Sequence, residues 1–201
     1  MSWIKTLDRK AATGRLSAIY DRVAGKTGQI DNILAAHSLR PHTLEGHMAL
    51  YKAVLHHYGN SLDKAYLEAI GTWVSSLNKC AYCVEHHFAG LTSLLGDEDR
   101  AAQIRAAIHS GILERAFSGR ELAGLRYAEI LTRTPHALTE QHVVALREAG
   151  FDDGEILEIN QVTAYFAYAN RTVLGLGVSH DGETLGLSPK ASDDPESWSH
   201  D

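Results

Sequence analysis

Cysteine is almost missing from this chain: there are two in 201 residues. Two are too few to staple a fold of this size, and a domain this long buries enough apolar surface to hold itself together. Long apolar runs are missing too. None approaches the ~18 residues a membrane-spanning helix needs. The segment Met1–Lys10 has neither the apolar core nor the small-residue cleavage site of a signal peptide. The expected compartment is therefore the cytoplasm, where structural disulfides are rare. Basic clusters are absent. The net charge is −6 with Lys and Arg scattered, which speaks against nucleic acid and against an anionic membrane surface as partners. No stretch alternates as a strand does, and no hairpin signal occurs.

What is present is helical spacing nearly throughout. Leu16, Ile19, Tyr20 and Val23 share a face and stop before Gly25. Ile33, Leu34 and His37 suggest a short helix. Pro41 suits the first turn of the next, with Leu44, Met48, Tyr51 and Leu55 on its apolar face. Ser61 is the expected cap of a helix carrying Tyr66, Ile70, Trp73 and Leu77, and Asn78 of the one from Lys79 to Leu95. Further helices start at Asp97, at a Ser118–Glu121 capping box, at Thr139, and at an Asp152–Glu155 capping box. The expected fold is all-α, one domain of about eight helices over residues 1–180. A polar C-terminal tail, 181–201, is expected to be extended or loosely ordered. Its Asp193-Asp194-Pro195-Glu196 stretch reads as a solvated charge run.

Both cysteines lie in one motif, Cys80-Ala81-Tyr82-Cys83, and His87 follows four residues later. This spacing allows a disulfide, a metal site or a dithiol enzyme. On a helix, Cys80, Cys83 and His87 share a face. A helix N-terminus stabilises a thiolate and lowers a thiol pKa from about 8.5 to roughly 3.5–7.5. One thiol can then attack an oxidant and the other can resolve the product as a disulfide. Glu68 stands on the preceding helix, and the turn at 77–79 is expected to bring it back alongside Cys80, completing a proton path. A zinc site would instead use Cys80, Cys83 and His87, with His56 or His57 as the fourth ligand.

Glu68, then Cys80 twelve residues on, then Cys83 and His87, resembles the Glu…Cys-x-x-Cys-x-x-x-His signature of the AhpD-like alkylhydroperoxidases. These are part of the carboxymuconolactone decarboxylase-like superfamily, and the wording of 78–87 is most similar to its peroxidase-related branch. Pro41, Asn170-Arg171 and Leu176-Gly177-Val178 extend the resemblance to roughly residues 10–180. It implies an AhpD-like helical fold and an antioxidant thiol peroxidase without metal, haem or flavin. In it Cys83 attacks the hydroperoxide, Cys80 resolves, and Glu68 and His87 relay protons. A dithiol donor re-reduces the pair, and the subunits assemble as trimers or hexamers. One position departs. The best-studied family members carry histidine directly before the second cysteine, where this chain has Tyr82. A phenol with a pKa near 10 is no base at neutral pH, so the expectation is either a weaker peroxidase or a relay that runs through His87 alone. His86 falls on a different helical face.

Twelve histidines are present. Those at 37, 42, 47, 109, 136 and 142 are read as surface or capping residues. Trp73 and Phe88, which flank the motif on its two helices, are the expected aromatic lining of the site. The alternatives to a peroxidase are a carboxylactone decarboxylase, whose chemistry needs no dithiol, and a non-enzymatic dithiol redox sensor.

Overall fold

A computed structural model describes residues 2–26, 28–190, 194 and 197–200. Among them are nine α-helices: α1 (Gly14–Val23), α2 (Asn32–Ala36), α3 (Pro41–Tyr51), α4 (Lys64–Leu77), α5 (Ala81–Leu95), α6 (Glu98–Ser110), α7 (Gly119–Arg133), α8 (Glu140–Glu148) and α9 (Asp153–Leu176). No strand occurs among the described residues, as the sequence leads one to expect. Of the Asp193–Glu196 run, Asp194 alone lies within the described residues.

The body is built round α4. Every residue from Tyr66 to Ser75 is buried, so this helix has no solvent face and needs partners on all sides. It pairs with α5 as a helical hairpin, and α7 and α9 cover its other sides. One close approach depends on glycine. A Cβ on Gly71 would stand 2.2 Å from the Phe166 ring of α9, so only the missing side chain lets α9 seat against α4.

The helix ends follow local chemistry, with three differences from expectation. Asp63, not Ser61, caps α4, accepting from Ala65 N–H at 2.8 Å and Tyr66 N–H at 3.3 Å. Ser61 and Leu62 instead donate their N–H groups to the Glu158 carboxylate. Asn78 ends α4 rather than starting α5, whose N-cap is Cys80. Ser118 occupies the N-cap of α7, but its side chain makes no capping hydrogen bond. The Asp152–Glu155 box forms as expected, with bonds of 2.8 and 2.9 Å. Thr139 caps α8 together with His142. After α3 the chain loosens into one π-helical turn, Lys52–His56.

The described tail residues form no regular helix, yet many of them pack on the body. The His200 N–H donates to Val23 O at 2.9 Å, and Arg22 stacks 3.7 Å over the Trp198 ring. No helix among the described residues is long and apolar enough to cross a membrane.

Candidate active site

The turn between α4 and α5 sets the sulfur geometry. Cys80 N–H reaches back to Ser75 O at 2.9 Å and Lys79 N–H to Ser76 O at 3.0 Å. This is the Schellman pattern, in which the residue at the left-handed position is usually glycine. Here it is Lys79, with φ +57°. The turn delivers Cys80 directly to the N-cap of α5 and Cys83 to its first turn. The N–H groups of 81–83 there precede the first intrahelical bond, Val84 N–H to Cys80 O.

Both thiols are free and buried. They are hydrogen-bonded to each other and titrate as a pair. The Cys83 thiol is the main influence holding Cys80 below the usual value, against the upward push of burial. Cys83 is held well above, by its bond to Cys80 and then by burial. The first proton therefore leaves more readily than the second. Asn170 of α9 offsets this at Cys83, favouring its ionised form. Its amide also donates to Ser75 Oγ at 3.0 Å and accepts from Asn78 Nδ2 at 2.9 Å. A single buried amide thus ties α4, the turn and α9 together behind the sulfurs.

Cys83, Glu68 and His87 line one cavity, and Cys80 lies behind it. Glu68 sits against His87, its Oε2 2.7 Å from His87 Nδ1, where the sequence suggested a place alongside Cys80. The Phe166 ring meets His87 edge-on at 4.5 Å. Gly90, one turn above His87 on α5, lies beside the Glu68 carboxylate, which a Cβ there would meet in ordinary contact at 3.7 Å.

The lining differs from expectation. Trp73 and Phe88 are not part of it. Trp73 is buried in the main core, and Phe88 lies beneath Arg105. Tyr51, Tyr165 and His47 line the cavity in their place. Burial raises both tyrosines well above the phenol range, so they stay neutral. His37 and His47, read from sequence as surface or capping residues, are buried. Burial first, then the neighbouring His37, pushes His47 down to about 3. His56 is buried and likewise pushed well down. Among the described residues no group of three or more His, Cys, Asp or Glu has a geometry suited to a metal ion.

Tyr82 and His86 both face the cavity. Tyr82 accepts from Ile33 N–H at 3.2 Å and donates to Glu183 Oε1 at 3.3 Å. His86 Nε2 lies 3.1 Å from Glu183 Oε2. A third pair joins His200 Nδ1 to Asp31 Oδ2 at 2.8 Å. Burial raises Asp31, but His200 and Gln29 outweigh it and hold the carboxyl below its usual range. Three histidine–carboxylate pairs therefore surround one dithiol. Glu183 and His200 come from the tail, where the sequence shows only a polar segment. The buried Trp198 beside His200, with Leu187 on the cavity wall, is an apolar signal that part of the tail docks.

The sequence model of the carboxymuconolactone decarboxylase family matches residues 41–129, which hold the dithiol, Glu68 and His87. This match and the solved structures with the same fold support an AhpD-like, carboxymuconolactone decarboxylase superfamily assignment. The chain is similar to an uncharacterized peroxidase-related protein with an AhpD core from Ralstonia eutropha JMP134. The TM-score is 0.79 at 25% identity, covering 90% of this chain and 93% of that one. A peroxidase-related protein from Silicibacter sp. TM1040 matches with a TM-score of 0.73 at 26% identity, covering 89% and 94%. The debrominase Bmp8, solved with 2,3,4-tribromopyrrole, shares the fold at 18% identity, with a TM-score of 0.71 over 90% and 95% of the two chains. A search of curated proteins returns no match.

Proposed function

We propose that the protein is a cysteine-based hydroperoxide reductase. The observation that carries this reading is the placing of Cys83, Glu68 and His87 on one cavity, with Cys80 hydrogen-bonded behind Cys83. Loss of one proton leaves the pair sharing the other between two sulfurs. When the charge rests on Cys83, aided by Asn170, its sulfur attacks the outer oxygen of ROOH. The O–O bond breaks, Cys83 becomes a sulfenic acid, and RO⁻ leaves as ROH with a proton delivered by His87. His87 Nδ1 is held by Glu68, which leaves Nε2 for that transfer. The Cys80 thiol then attacks the sulfenic sulfur, water leaves, and a Cys80–Cys83 disulfide remains. An external dithiol donates two electrons and two protons to restore the thiols.

The superfamily also contains decarboxylases. A carboxylactone is anionic, and this cavity presents two carboxylates, Asp31 and Glu68. That charge disfavours such a substrate. The decisive experiment is peroxide-dependent thiol loss in purified protein, wild type beside Cys83→Ser, followed by dithiol-driven turnover. Loss of two thiols and sustained turnover, both abolished in the variant, support the reading. Full peroxide consumption by Cys83→Ser overturns it. Rapid stoichiometric oxidation without turnover favours a redox sensor. A cytoplasmic trimer or hexamer is the assembly that accompanies this proposal.

A further inference from the structure

The tail lies across the mouth of the cavity. Glu183 accepts from Asn32 N–H and from the Tyr82 hydroxyl, and pairs with His86. Thr184 and Gln29 exchange two hydrogen bonds of 2.9 and 3.1 Å. Gly186 presses on the backbone of α5. A Cβ there would stand 2.9 Å from Ala89 Cβ and 3.1 Å from Gly90 N, at φ +79°. Leu187 and Ser188 then form part of the cavity wall, and His200 closes it further along.

What remains is small. The free volume is about 40 Å³, on a measure by which one water needs roughly 10–15 Å³. That is room for about three waters. Two buried ring nitrogens of the lining, His47 Nδ1 and His200 Nε2, have no hydrogen-bond partner. Unsatisfied buried nitrogens are costly, and a small oxygen-bearing guest would relieve both.

We propose that the described tail residues, 183–190 and 197–200, are a strap that sets the size of the substrate. With the strap docked the site takes hydrogen peroxide or a hydroperoxide of similar size. A bulky aryl hydroperoxide enters only when the strap lifts. This rests on the hydroperoxide reading, and the test separates the two.

The test compares the full-length wild type with Glu183→Ala and Gly186→Val. Both changes unseat the strap and leave the helical core alone. Oxidation rates with hydrogen peroxide and with cumene hydroperoxide are each referred to the same rates on free cysteine. Modification by methyl methanethiosulfonate, a small thiol reagent, and by the bulky aromatic disulfide DTNB is followed in parallel. The wild type is expected to discriminate against each bulky reagent by about tenfold or more, and either variant to lose that discrimination. Equal reaction of the wild type with the large and small members of both pairs overturns the strap, as does discrimination that survives in both variants. If neither peroxide oxidises the protein but DTNB is still excluded only from the wild type, the strap stands and the peroxidase reading falls.

Discussion

His47 is buried as a neutral imidazole, and the cost of charging it makes acid sensitivity the clearest residue-scale expectation. Its folded pKa is about 3, whereas an unfolded histidine titrates near 6.5. Between those values the unfolded chain binds a proton that the folded chain does not, so stability falls as pH drops below about 6.5. From pH 6.5 to 5 the loss from His47 alone is about 2 kcal/mol. His37 and His56, also shifted down, add in the same direction. Urea midpoints at pH 7 and pH 5 check this, and His47→Gln should narrow the gap between them. A protein equally stable at both values would refute the assignment. At the reacting centre, Glu68→Gln removes the charge that holds His87 and should slow peroxide-driven thiol loss by about a hundredfold. A rate within about twofold of wild type would remove Glu68 from the relay. The four residues of the signature were legible as a resemblance to a family motif; helical spacing alone grouped Cys80, Cys83 and His87 but set Glu68 beside Cys80 rather than against His87. His47 and His200 were not, because a histidine carries no sign of burial until its neighbours across the fold are known.

At the scale of elements, Lys79 holds a left-handed backbone that costs an L-residue roughly 1–2 kcal/mol. Lys79→Gly removes that strain against a greater loss of chain entropy, so it should stabilise the fold by about 0.5–1 kcal/mol. Thermal unfolding measures this, and a lower Tm would mean that the lysine side chain contributes more than the turn costs. Gly71→Ala should act the other way. Its methyl would displace the Phe166 ring, which also flanks His87. Overpacking of this kind costs about 1–3 kcal/mol, read as a lower urea midpoint. The helices themselves were legible from apolar spacing and from true caps such as Asp152 and Thr139. The α4–α5 boundary was not. A Schellman turn built on lysine hides its glycine signal, and Asn78 reads equally well as either end of a helix. The π-helical turn at 52–56 likewise has no proline or glycine to mark it.

For the whole molecule, the all-helical class and the superfamily were legible, but the contribution of the tail was not. Its polar composition says nothing of where Glu183 and His200 land, which depends on partners more than 90 residues away: Tyr82 and His86 for Glu183, Asp31 for His200. Assembly belongs to this scale too. Sedimentation equilibrium should give three or six times the monomer mass, and a monomer at micromolar concentration would set that expectation aside. The seclusion of the sulfurs reaches beyond the choice of substrate. Cys80 and Cys83 are 0% and 2% exposed, so a disulfide between them would sit out of reach of any donor larger than the cavity. Recovery would then wait on the strap rather than on the donor, and a brief oxidant pulse would leave a population that stays oxidised after the pulse has passed. On the hydroperoxide reading such a molecule would keep time as well as detoxify: the fraction still oxidised would record how recently the oxidant was there.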